Sequence, residues 1–178
     1  MHMFKCRICG EPYMGNAKLS HCPFCGASDN YIVFAKDWAE IENVDLSDKS
    51  RANLEHALLM ENNSALFYAC SYEISMDIEL STMFKALWRM EAEHVSLIRG
   101  LLGIPKPEEE EDNRGRCHAL EQLNVTDARE RENRAIEFYT QAAADAVELR
   151  VKELFSAFAE IESSHLELIT DAESRFSM

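Results

Sequence analysis

Four glutamates and two histidines recur in this chain at a single spacing: Glu61 with Glu91 and His94, then, 71 residues further on, Glu132 with Glu162 and His165. The repeat extends to Ala57/Ala128, Asn62/Asn133, Phe67/Phe138, Tyr68/Tyr139, Phe84/Phe155, Ala86/Ala157, Leu97/Leu168 and Ile98/Ile169 at the same offset. Two helical hairpins of one design follow. In the first helix Leu54, Leu58, Glu61, Ala65, Tyr68 and Tyr72 alternate steps of four and three, the period that keeps one helix face on a core. The second reads Leu80, Phe84, Leu87, Glu91, His94, Ile98, Leu101, the third Val125, Ala128, Glu132, Ile136, Tyr139, Ala143, and the fourth Val151, Phe155, Phe158, Glu162, His165, Ile169. The ionisable residues lie inside the apolar stripes.

Burying an isolated carboxylate costs more than a domain of this size offsets unless the group is paired, protonated or metal-bound. Four converging carboxylates repel one another, and two divalent cations carry the four positive charges that neutralise them. In each hairpin the glutamates are 30 residues apart. A turn midway leaves about 13 residues on either side, roughly 20 Å of helix at about 1.5 Å per residue, which brings both to one height. Glu and His three apart share a helix face, so each Glu-x-x-His can offer a bridging carboxylate and a capping imidazole. One such motif alone reads as a solvated helix face. Two in register, with matched upstream glutamates, read as the ligand set of a two-metal carboxylate bundle. Tyr68 and Tyr139, seven residues after Glu61 and Glu132, fit equally as hydrogen-bond donors to those carboxylates and as plain core tyrosines.

A second metal signature lies at the amino terminus, where Cys6-Arg-Ile-Cys9-Gly10 precedes Cys22-Pro-Phe-Cys25-Gly26. Two Cys-x-x-Cys pairs form a tetrahedral thiolate cage for zinc or iron. The glycine after each pair can take the positive φ that such a turn requires. A segment of about 35 residues buries too little apolar surface to fold unaided, so metal supplies much of its stability. Phe4, Tyr13, Phe24, Tyr31 and Phe34 are its expected core. No signal peptide is evident, which argues against disulfides, and Cys70 and Cys117 are expected to be reduced thiols.

The chain thus divides into a four-cysteine metal module at 1–35, a connector at 36–47 and a four-helix bundle at 48–178. Trp38 is positioned to pin the connector, and Asp45 or Ser47 to cap the first helix. The second helix ends near Gly100 to Gly103. Ile104-Pro-Lys-Pro breaks it and leads into the acidic run Glu108 to Asp112, read as a solvated loop. The third helix is expected to start at Asp127, with Glu130 completing a capping box. The helix one to two turn near Glu73 to Asp77 and the three to four turn near Asp145 to Glu148 are short, whereas the middle connection is long enough for a crossover. A formal net charge of −14 argues against nucleic-acid binding, and no apolar run approaches the roughly 20 residues of a membrane span. A soluble, cytoplasmic protein is expected.

Together, the paired Cys-x-x-Cys-Gly knuckles and the doubled Glu/Glu-x-x-His bundle resemble the rubrerythrin family over nearly the whole chain, as does the spacing of Asn53-Leu54, Glu61 and Tyr68. The resemblance implies a mostly α protein, a ferritin-like four-helix bundle with one long crossover. It also implies a small rubredoxin-like or zinc-ribbon-like four-cysteine module, placed before the bundle as in the reverse-order members. It implies two irons on Glu61, Glu91, His94, Glu132, Glu162 and His165, and an iron or zinc on Cys6, Cys9, Cys22 and Cys25. The activity implied is non-haem di-iron reduction of hydrogen peroxide, or oxygen, with electrons relayed through the cysteine site from an external donor. A ferroxidase-type or iron-sequestering protein with a structural zinc knuckle is the alternative. A homodimer or higher homo-oligomer is expected. One position departs from the pattern: many rubrerythrins carry a further glutamate three residues after the third-helix ligand, and Ala135 stands there. Its absence leaves a symmetric, more ferritin-like site.

Overall fold

The computed structural model describes residues 1–39, 44–108, 112 and 116–175. Three short strands, β1 (His2–Cys6), β2 (Pro12–Gly15) and β3 (Ile32–Phe34), form an antiparallel sheet in the order β2-β1-β3. Four long helices follow: α1 (Asp48–Ile74), α2 (Ile78–Leu102), α3 (Glu121–Asp145) and α4 (Leu149–Ser174). This is a four-helix bundle with one long crossover and a small cysteine-bearing module. Glu109 to Glu111 of the acidic run lie outside the described residues. Among the described residues no helix is long and apolar enough to cross a membrane.

The starts of α1 and α2 and the end of α2 each have a local cause. Ser47 caps α1, its hydroxyl accepting from the Ser50 amide at 3.3 Å. Asp77 caps α2 by accepting from the amides of Glu79 and Leu80, both at 2.9 Å. Gly103 closes α2 at φ 68°, a left-handed conformation glycine adopts without a Cβ penalty. Glu148, just before α4, accepts from the Ser47 amide at 2.5 Å and from the Ser50 hydroxyl, tying the two hairpins together.

The start of α3 differs from expectation. The helix begins at Glu121, and Asp127 and Glu130 lie within it, Asp127 pairing with Arg131 at 3.1 Å one turn on. Its first turn is held by tertiary contacts instead. Glu121 accepts from the amides of Met76 and Asp77 at the α1–α2 turn, and Asn124 exchanges two hydrogen bonds with the His118 backbone. An acidic residue followed by a glutamate is as serviceable inside a helix as at its start, so the capping pattern alone could not place the end.

Inside the bundle Phe67, Tyr68, Phe84, Tyr139, Phe155 and Phe158 are fully buried, each contributing on the order of 1.5–3 kcal/mol through transfer from water. The module core is smaller than the aromatic residues promised. Phe4 and Tyr13 are buried, whereas Phe24 and Phe34 stay exposed, and Ile8, Ala27 and Ile32 take up the interior. Phe34 shares the face of buried Ile32 but ends the strand, so its ring stacks on Phe4 at the rim. Trp38 is pinned by Lys5, whose ammonium lies 3.2 Å from the ring centroid.

Cys70 and Cys117 form a disulfide, correcting the expectation of reduced thiols. Cys117, four residues before α3, lies beside α1, with its Cα 5.7 Å from that of Cys70, within bridging range. A separation of 47 residues hid that proximity from the sequence.

Candidate metal centres

The two Cys-x-x-Cys turns meet as expected. Gly10 and Gly26 have φ of 78° and 79°, and the amides of Gly10 and Gly26 donate to the carbonyls of Cys6 and Cys22 at 2.9 and 3.0 Å. Cys6 Sγ lies 3.8 Å from Cys25 Sγ, and Cys9 Sγ 3.7 Å from Cys22 Sγ. A tetrahedron with metal–sulfur bonds of about 2.3 Å has edges of about 3.8 Å, so the four sulfurs fit a zinc or iron ion closely. Contact with the Cys25, Cys6 and Cys9 thiols holds Cys22 well below the usual thiol range, while the Cys22 contact pushes Cys25 up.

In the bundle the six repeated residues converge, all of them buried. They form two overlapping ligand groups, Glu61–Glu91–His94–Glu162 and Glu91–Glu132–Glu162–His165, with donor atoms within 4.8 Å of one another. Glu91 and Glu162 belong to both. That is the arrangement two cations need, a shared pair of carboxylates between them and one carboxylate and one imidazole on each side. His94 Nδ1 lies 2.9 Å from Glu91 and 3.4 Å from Glu61. His165 Nδ1 lies 3.0 Å from Glu162 and 3.2 Å from Glu91. Glu162 Oε1 is buried and finds no hydrogen bond among the described residues, as expected of an oxygen reserved for a cation.

Without cations the cluster balances its charge with protons. Burial, then the neighbouring Glu91 carboxylate, pushes Glu61 up to about 8. Burial and the charges of Glu91 and Glu132 raise Glu162 well above the usual carboxylate range. Burial disfavours the charged forms of His94 and His165, but their carboxylate partners outweigh it and hold both imidazoles well above the usual value. For Glu91 burial is outweighed by hydrogen bonds from Glu61 and the two histidines, which hold it low.

Around the cluster each tyrosine serves the opposite hairpin: Tyr68 donates to Glu132 and Tyr139 to Glu61. A cavity of about 180 Å³ reaches the four glutamates from the α1–α3 face, past Asn63, Ser64, Arg131, Arg134 and Ala135. Ala135 lines this cavity, and both Glu130 and Glu137 on the same helix are exposed.

The cysteine module sits on the histidine side. His94 donates from Nε2 to the Cys25 carbonyl at 2.9 Å, which turns Nδ1 toward the carboxylates. Gly26 packs so closely that a Cβ there would lie 3.1 Å from Ile161 and 3.3 Å from Met90. Arg7 pairs with Glu153, and Ser28 and Tyr31 donate to Glu160 at 3.1 and 3.2 Å. Sequence reasoning found every side chain of both clusters. The His94–Cys25 link lies outside it, because a main-chain carbonyl carries no sequence signature, as do Arg131 and Arg134, which line the cavity.

A small four-cysteine module packed on a four-helix bundle with a buried carboxylate and histidine cluster defines a protein with two candidate metal centres. The rubrerythrin family model matches residues 52–173, and the chain belongs to the rubrerythrin family. The cysteine module precedes the matched segment. No curated protein and no solved structure matches the chain.

Proposed function

We propose that the protein is a di-iron oxidoreductase that reduces hydrogen peroxide, or oxygen, with electrons passed from an iron in the Cys6–Cys9–Cys22–Cys25 site. The observation that carries this reading is His94, which faces the carboxylate cluster through Nδ1 and donates through Nε2 to the Cys25 carbonyl. A purely structural knuckle has no need of such a link. Two ferrous ions, when bound, supply the two electrons that turn one peroxide and two protons into two waters. The chain's own residues do the rest. Glu91 and Glu162 would be shared by the two ions, Glu61 with His94 and Glu132 with His165 would each complete one of them, and the tyrosines fix the orientation of Glu132 and Glu61. The cavity beside Ala135 gives a small molecule a way in.

The competing reading is a ferroxidase-type or iron-sequestering protein with structural zinc, favoured by the missing glutamate at position 135 and by a sulfur tetrahedron that suits zinc equally. Anaerobic stopped-flow oxidation of the iron-loaded, reduced protein separates the two. Peroxide reacting much faster than oxygen supports the peroxidase; oxygen reacting as fast or faster, with zinc in the cysteine site of protein made without added zinc, supports the alternative.

A further inference from the structure

Arg150 occupies the first turn of α4, where a cation opposes the helix dipole and loses rather than gains stability. Its side chain is nevertheless only 11% exposed. The guanidinium donates from Nη1 to the Arg7 carbonyl at 3.1 Å and from Nη2 to the Ile8 carbonyl at 2.5 Å. Arg7 and Ile8 are the two residues between Cys6 and Cys9. The Arg7 carbonyl belongs to the same peptide unit as the Ile8 amide, and that amide donates to Cys6 Sγ at 3.4 Å. A continuous line therefore runs from the guanidinium through one polarised peptide to the sulfur. Hydrogen bonds in such a chain strengthen one another in a low-dielectric setting. Glu153 lies 3.5 Å from Nη1 and also pairs with Arg7, so it partly compensates the charge.

We infer that Arg150 is a positioning residue for the cysteine site, clamping the first knuckle and raising the reduction potential of the iron bound there. Four thiolates with ferrous iron carry one more negative charge than with ferric iron, so a buried guanidinium acting through the Ile8 amide favours the reduced form. Hydrogen bonding to sulfur is a recognised control on the potentials of iron–sulfur sites. Because Arg150 lies on the helix that also carries Glu162 and His165, one rigid element ties the tuned site to the carboxylate cluster. The inference rests on the proposed function only in taking the cysteine site to hold iron.

The test is the midpoint potential of the full-length, iron-reconstituted protein, read from the thiolate-to-iron absorption band. Arg150→Gln should make reduction at least about tenfold less favourable, a downward shift of about 59 mV or more for one electron. Arg150→Lys should fall between, keeping the charge but losing the fork. Glu153→Gln, which leaves the clamp in place and removes its counter-charge, should move the potential upward. An Arg150→Gln potential matching the unsubstituted protein, with the band intact, overturns the inference. Should that variant fail to hold iron, Glu153→Gln decides: a rise supports the tuning role, and no change or a fall refutes it. Peroxide consumption recorded alongside separates the two claims, since shifted potentials without turnover would count against the proposed function alone.

Discussion

Tyr68 on α1 donates its phenol proton to Glu132 on α3, and Tyr139 on α3 returns the same contact to Glu61 on α1. Each hairpin thus orients the carboxylate of the other, and the 71-residue repeat becomes a pseudo-symmetric clamp in space. Both phenols are fully buried, so each hydrogen bond is made away from competing water.

Removing either phenol should therefore weaken metal retention. Tyr68→Phe and Tyr139→Phe are each expected to lower affinity by about 10–100-fold, the usual effect of losing a ligand's orienting partner. Competition against a graded chelator measures it. A silent variant on one side only would break the reciprocity.

Glu91 and Glu162 stand in both ligand groups, whereas His94 stands in one. Glu91→Ala should release both bundle metals, leaving only the ion of the cysteine site, and His94→Ala should leave one bundle metal beside it, as counted by elemental analysis. Two tightly held bundle metals in Glu91→Ala protein would remove the bridging role.

The metal-free protein should lose stability as pH rises. Glu61, Glu162, His94 and His165 all bind protons more tightly folded than unfolded, so their contribution is present at low pH and lost as pH climbs through the folded values. For Glu61 that window runs from 4.5 to about 8. Glu91 is depressed and works in the opposite sense, but only below its ordinary value of 4.5. Melting temperature should accordingly fall between about pH 5 and about pH 8 in the metal-free protein, and the slope should flatten once cations replace the protons. A metal-free melting temperature that rises over that range would contradict the charge balance described.

The Cys70–Cys117 bridge closes a loop spanning 47 residues, for which chain entropy gives a stabilisation of up to about 4 kcal/mol. Cys70→Ser is expected to lower unfolding free energy by about 2–4 kcal/mol under oxidising conditions and to change little in strong reductant, as followed by urea denaturation. Equal losses in both conditions would make the cysteine a packing residue.

What the sequence made legible was whatever repeats or has a fixed period. The apolar stripes placed four helices, and the 30-residue spacing put Glu61 level with Glu91. The paired knuckles placed four sulfurs and two positive-φ glycines. What stayed hidden depended on how separate segments dock. The start of α3 is set by Glu121 reaching another turn, the disulfide by the path of the crossover, and the Arg150 clamp by α4 meeting the first knuckle. Each is a contact between segments distant in sequence, with no local pattern to announce it.

At Ala135 a missing side chain leaves part of the access cavity. Ala135→Glu should place a carboxylate beside the cluster, narrow the cavity, and change the ratio of peroxide to oxygen reactivity. Rates for both oxidants that match the unsubstituted protein would show that the cavity is not their route.

The most direct measurement concerns His94 and Cys25, joined by a 2.9 Å hydrogen bond within one chain. In anaerobic stopped-flow, fully reduced, iron-loaded protein is mixed with one equivalent of peroxide, and the thiolate-to-iron band of the cysteine site is followed at several protein concentrations. Relay within the chain predicts that this band appears at a rate independent of protein concentration. A cysteine site that stays reduced while the bundle metals are oxidised, or whose oxidation scales with protein concentration, would contradict it.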